Sequence, residues 1–123
     1  MNLIEFMRRY EPLIRQLPIL VEGDHDVSAL NRIDIENRAI KINQGKSLES
    51  VCKDISIKYK SIIILTDFDR KGIELMKRIS SILRSYDVDP ENSLWNFIRK
   101  NYNIKSVEDL PWLIDKIQSE SVE

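Results

Sequence analysis

Apolar side chains recur near the start of the chain at Leu3, Ile4, Phe6, Met7, Tyr10, Leu13, Ile14 and Leu17, a helical period with Asn2 placed to cap it. Pro18 stops that helix, and the wholly apolar Ile19-Leu20-Val21 that follows reads as a buried strand. Glu22-Gly23 ends the strand. Asp24 is expected to cap a short helix carrying Val27, Leu30 and Ile33, with a second strand at residues 39–42. Ser47 caps a further helix that turns Leu48, Val51, Cys52 and Ile55 to one side. Residues 61–66 are β-branched and almost continuously apolar, as a central parallel strand covered on both faces should be. A long helix from about residue 70 to 86 then buries Ile73, Leu75, Met76, Ile79, Ile82 and Leu83.

Strand and helix alternate three times, the pattern of an α/β fold. It predicts a Rossmann-like parallel sheet of three to four strands with right-handed crossovers and helices on both faces. Val88 marks a short fourth strand, and residues 90–101 read as helical with Leu94, Trp95, Phe97 and Ile98 inward. Ser106-Val107-Glu108-Asp109 resembles a helix start, and Pro111 suits its first turn, so a last helix carries Leu110, Leu113, Ile114 and Ile117 before residues 118–123 fray. One domain spanning residues 1–123 follows, with its core at about 18–88, an N-terminal helix at 3–17 and a helical C-terminal tail at 90–118. Trp95 and Trp112 are expected to fill the interface between tail and sheet.

Composition narrows the function classes. The chain has 123 residues, 42% hydrophobic and 32% charged, which allows one ordinary core and no second full domain. No apolar run approaches the roughly 20 residues that cross a bilayer, and no basic stretch precedes a long apolar one at the start, so a cytoplasmic protein without membrane contact is expected. The lone Cys52 has no Cys or His at metal-ligand spacing and reads as a core residue. A formal net charge of −1 argues against coating nucleic acid through bulk positive charge; any such contact must be local.

In open parallel sheets, ligands bind beyond the carboxyl ends of the strands, where the strand order reverses. Glu22 closes the first predicted strand, Asp67 and Asp69 close the third, and Asp24 and Asp26 lie close by. Uncompensated carboxylates a few ångströms apart repel one another and hold a cation or keep a proton. Oxygen ligands without His or Cys favour Mg²⁺ or Mn²⁺. Mg²⁺ takes one or two protein carboxylates and leaves positions for water and phosphate, a role that suits Asp67 and Asp69, while a third carboxylate can move a proton. Gly23 permits a tight turn, and Gly72 lets the following helix sit close to the sheet.

Val21-Glu22-Gly23-Asp24-His25-Asp26, followed about 45 residues later by Ile62-Ile63-Ile64-Leu65-Thr66-Asp67-Phe68-Asp69-Arg70-Lys71-Gly72, resembles the TOPRIM domain family. That domain is shared by topoisomerases, bacterial-type primases and several nucleases. The match covers roughly residues 18–86. The compact form is similar to the small stand-alone primase-like TOPRIM proteins of archaea. The resemblance implies a general acid/base role for Glu22 and Mg²⁺ binding by Asp67 and Asp69, and Glu22 is counted with them as a metal-site residue. Asp26 matches the acidic position that often follows the Glu-Gly pair, and Lys71 joins Glu22 and Asp26 as a catalytic candidate. The chain lacks a primase's zinc-binding module and the domain that supplies a topoisomerase's nucleophile, so Tyr10, Tyr59, Tyr86 and Tyr102 are poor candidates for that role.

Each motif also has a plain structural reading. Asp69 suits a helix cap, and Asp26 a helix N-terminus. Gly45-Lys46-Ser47 could cradle a phosphate, or form only a turn with a serine cap. Arg70 and Lys71 could contact a nucleic-acid backbone, or be solvated charges on an exposed first turn. His25 is expected to be exposed. A response-regulator receiver would place its acidic pair after the first strand, and a dehalogenase-type phosphatase would place Asp-x-Asp there; both fit less well. The expectation is a small Mg²⁺-dependent nuclease acting on RNA or DNA, the alternative a non-catalytic nucleic-acid- or protein-binding module that keeps the metal site. A homodimer or a partner protein is compatible with either.

Overall fold

The Asn2 side chain accepts the Glu5 N–H at 2.9 Å and starts the first helix, as its position before the apolar period predicts. A computed structural model of the chain describes residues 1–35 and 38–121. In order, its elements are α1 (Leu3–Gln16), β1 (Ile19–Val21), α2 (Asp24–Arg32), β2 (Ala39–Lys41), α3 (Leu48–Lys58), β3 (Ser61–Ile64), α4 (Arg70–Ser85), β4 (Asp89–Glu91), α5 (Ser93–Asn101) and α6 (Leu110–Ser121). A single 3₁₀ turn, Val107–Asp109, leads into α6. Among the described residues no helix is long and apolar enough to cross a membrane.

The four strands form one parallel sheet in the order β2-β1-β3-β4. From β1 the chain crosses to β2 in one direction; the next two connections run the other way. With right-handed crossovers, α2 therefore lies on one face and α3 and α4 on the opposite face. The packing agrees: α3 lies against α4, while α2 packs on α6 and α1 on both α5 and α6. The strand residues Ile19, Leu20, Val21, Ile62, Ile63 and Ile64 are all fully buried, which explains their unbroken apolarity. The reversal of direction opens the crevice between the carboxyl ends of β1 and β3.

Several expectations need correcting. Asp24 does not cap α2; Gly23 is the cap and Asp24 the first helical residue, because the Asp26 carboxylate accepts the Gly23 N–H at 3.1 Å and closes the turn from within. Pro90 lies in β4, not in a helix; it pairs with Ile62 on an edge strand, where a missing N–H is tolerated, and α5 begins only at Ser93. Trp95 is buried as expected, but Trp112 is 59% exposed on α6, whose inner face uses Leu110, Leu113 and Ile117 instead. The last helix continues through Ser121 instead of fraying from residue 118; residues 122 and 123 lie outside the described residues. Cys52 is buried, and burial pushes its thiol up to about 11, the inert behaviour of a core cysteine.

Gly72, in the first turn of α4, is where the helix meets the end of β3. A Cβ built there would lie 1.9 Å from the Asp67 carbonyl oxygen, so only glycine permits this approach. The Thr66 hydroxyl donates to the Gly72 carbonyl at 2.8 Å across the same contact. Gly72→Ala is therefore expected to cost about 3 kcal/mol in urea unfolding, the upper range for overpacking against unyielding atoms. Gly45→Ala, at φ +74 in an open turn, should cost only about 1 kcal/mol of backbone strain. Equal losses at the two positions would show that the close approach is not a constraint.

Candidate functional site

The acidic turn Thr66-Asp67-Phe68-Asp69 lies just past the last ladder bond of β3. Leu65 still donates its N–H to Leu20 of β1 at 2.9 Å. The next available N–H, that of Asp67, turns toward β1 and is taken by the Glu22 side chain: Oε2 accepts it at 2.8 Å across 45 residues of sequence. Glu22 therefore extends the β1–β3 pairing with a side chain where the backbone of β1 has already turned at Gly23. Asp67 in turn accepts the Val107 N–H through Oδ1 at 2.9 Å, and Asp69 caps α4 by accepting the Gly72 N–H through Oδ1 at 2.8 Å. The Thr66 carbonyl takes the indole N–H of Trp95 at 2.9 Å, and the Phe68 N–H donates to the Lys105 carbonyl at 2.9 Å.

Four carboxylates thus share one rim, and each has one oxygen engaged by a backbone N–H. Asp26 is only 6% exposed. Burial is the largest influence on Glu22, raising its pKa; the Asp67 N–H pulls it back, and the charges of Asp67, Asp26 and Asp69 raise it further. Burial likewise raises Asp67, against the Val107 N–H and with the charge of Asp69. Asp26 is raised by burial and by the charges of Asp67 and Glu108, with the Gly23 N–H opposing. Among the described residues no group of three or more His, Cys, Asp or Glu side chains is placed to hold a metal ion, so Glu22, Asp67 and Asp69 do not form a three-ligand site. The set is all-oxygen and open, which fits a hard cation that completes its shell with water and substrate phosphate rather than one caged by protein.

A family model described as the Toprim domain matches residues 18–101. The chain belongs to the Toprim domain family. Relatives named UPF0292 proteins occur in archaea: one from Thermoplasma volcanium is 43% identical over 85% of this chain and 88% of its own length. Another, from Thermococcus sibiricus, is 35% identical over 94% and 95% respectively. A solved structure titled a putative protein from Aquifex aeolicus superposes with a TM-score of 0.76 at 29% identity, covering 89% of this chain and 98% of that one. Both the recognised resemblance and the four-stranded parallel sheet with flanking helices agree with these matches.

Within this Toprim domain the remaining sequence candidates sit in the turn before α3 and in the first turns of α2 and α4. Gly45, at φ +74, turns the chain between β2 and α3, and Ser47 caps α3 by accepting the Ser50 N–H at 3.1 Å. The Lys46 ammonium is paired with Asp54 at 2.6 Å, and Lys41, at the end of β2, with Asp24 at 2.8 Å. Arg70 and Lys71 stand exposed on the first turn of α4, Arg70 at 3.6 Å from Glu74. His25 is exposed at the start of α2. Sequence reasoning missed Val107, Lys105, Trp95 and Glu108 as neighbours of the acidic turn. Nothing local marks them, since three of the contacts run through backbone groups or an indole N–H brought in by the tail. A groove of about 440 Å³ lined by Ile4, Met7, Ile14, Ile33 and Ile114 lies elsewhere, between α1, the end of α2 and α6, and includes none of the four carboxylates.

Glu22, Asp26 and Asp67 have pKa values raised on folding, so the folded Toprim domain binds their protons more tightly than the unfolded chain does. That contribution to stability is fully present below the unfolded carboxyl values near 4 and is lost as pH rises through the raised folded values. Glu22→Gln keeps an acceptor for the Asp67 N–H and removes one charge. Its stability relative to wild type, from urea unfolding in chelator, should therefore increase as pH rises from 4 to 7.5. A difference independent of pH would mean that folding does not raise the Glu22 carboxyl.

Proposed function

We propose that this Toprim domain is a Mg²⁺-dependent phosphoryl-transfer protein acting on nucleic acid, specifically a small nuclease for RNA maturation or for DNA or RNA processing. The observation that carries the reading is the 2.8 Å bond from the Asp67 N–H to Glu22, which sets a raised-pKa carboxylate against the acidic turn at the β1–β3 crevice. Asp67 and Asp69 are the residues that would hold Mg²⁺ or Mn²⁺, with Glu22 at the edge of the same site. The bound cation supplies charge neutralisation at phosphate and acidifies water in its shell.

The chain's own groups do the rest. Glu22 moves the proton: a carboxyl lifted by burial and by neighbouring acids can give a proton to a leaving oxygen or take one from an attacking water. Asp26, buried behind it, steadies the Glu22-Gly23 turn through the Gly23 N–H and adds charge that keeps Glu22 high. Lys71 and Arg70, on the first turn beyond Asp69, are offered to phosphate oxygens. Gly45, Lys46 and Ser47 are assigned to phosphate contact in the same reading, for which Lys46 must exchange Asp54 for phosphate. A cytoplasmic location is part of this proposal.

A second reading, a binding module that retains the cation site without cutting, is favoured by one observation. Lys41 and Lys46, two basic residues at and just beyond the end of β2, are already paired with Asp24 and Asp54, and the whole chain carries −1. A second copy or a partner protein would then supply the basic surface. The test incubates pure protein with structured RNA, single-stranded RNA and DNA, with Mg²⁺ or Mn²⁺ and with chelator. The nuclease reading expects metal-dependent cleavage that falls by about 100-fold or more in Glu22→Gln and in Asp67→Asn. Binding without cleavage, unchanged by both substitutions, would establish the second reading instead.

A further inference from the structure

The acidic turn has no strand partner of its own on the tail side, yet three of its polar groups are bonded there. Val107 donates its N–H to Asp67 Oδ1, Lys105 accepts the Phe68 N–H, and Trp95 donates to the Thr66 carbonyl while its ring stacks on Phe68 with centroids 5.9 Å apart. Lys105 and Val107 lie beyond residue 101, where the family match ends. The segment is itself anchored: Tyr102 accepts the Leu3 N–H of α1 through its hydroxyl at 2.8 Å, and Val107 is fully buried.

From this geometry we infer that residues 102–107 are a brace, and that the Val107 N–H and the Lys105 carbonyl are positioning groups that hold Asp67 in its cation-binding orientation. The inference rests on the reading of Asp67 as a cation ligand. Left alone, the Asp67 carboxylate would swing from Asp69 and Glu22 under like-charge repulsion. A charge-assisted bond from a buried, anchored N–H opposes that swing and fixes which oxygen remains turned to the crevice. Groups behind a metal ligand commonly set its affinity in this way.

The local backbone provides a clean test. Val107 opens a 3₁₀ turn, where proline is accepted, and Ser106 before it is extended at φ −137, ψ 156, the conformation a following proline requires. Val107→Pro therefore removes the N–H with little backbone disturbance. Val107→Ala removes side-chain packing and keeps the N–H. In the full chain, amide hydrogen exchange and Mn²⁺ binding followed by the paramagnetic signal of free Mn²⁺ are compared for both variants and for Asp67→Asn. The expected result for Val107→Pro is exchange of the Asp67 and Phe68 amides about tenfold faster with Ile63 and Leu65 unchanged, and Mn²⁺ affinity about tenfold weaker. Val107→Ala should lower thermal stability but leave both readings within about twofold of wild type. Indistinguishable behaviour of the Pro and Ala variants would overturn the brace. Equal Mn²⁺ binding by wild type and Asp67→Asn would instead remove the cation reading by itself, and the exchange contrast would still decide whether the brace holds the turn.

Discussion

Everything at the crevice depends on keeping like charges together. Four carboxylates from two strand ends and two helix starts converge, burial makes the charges of Glu22, Asp26 and Asp67 more costly, and the fold offsets that cost with backbone N–H groups rather than with lysines or arginines. The choice has a chemical consequence. A lysine among these acids would satisfy them and leave nothing for a cation; an N–H fixes one oxygen of each carboxylate without cancelling its charge. The rim therefore stays anionic and well positioned, and Lys41 and Lys46 are paired outside it, with Asp24 and Asp54.

The topology makes this convergence possible. Because β1 and β3 are neighbours while their following helices depart in opposite directions, no crossover covers the crevice between their ends. Residues 45 apart in sequence can then share a hydrogen bond. Gly72 completes the arrangement by letting α4 begin against the Asp67 carbonyl, so that Asp69 serves at once as the helix cap and as part of the anionic rim. Capping and cation binding are compatible roles for one carboxylate, since the cap uses a single oxygen.

Much of this was legible before any coordinates. The unbroken apolarity of Ile19-Leu20-Val21 and Ile62-Ile63-Ile64 gave the buried strands, and the Glu-Gly and Asp-x-Asp spacing gave the acids of the rim. Capping by Asn2 and Ser47 followed from local chemistry alone. What failed was long-range or depended on context. Pro90 looked like a helix start because its place on an edge strand is a property of the sheet, not of the local pattern. Trp112 looked like a core residue because size and apolarity do not say which side of a helix meets the rest of the molecule. The brace was invisible for a different reason: the Val107 N–H and the Lys105 carbonyl are groups that nearly every residue carries, so no choice of side chain announces them. Only the folded tail shows which backbone groups reach the turn.

The proposed function requires a cation between the two aspartates. Anomalous diffraction from crystals soaked in Mn²⁺ tests this directly. The predicted result is a peak at the β1–β3 crevice, bonded to Asp67 and Asp69 with Glu22 adjacent. A peak at another acidic surface, or none at saturating Mn²⁺ in crystals whose crevice is open to solvent, would contradict it.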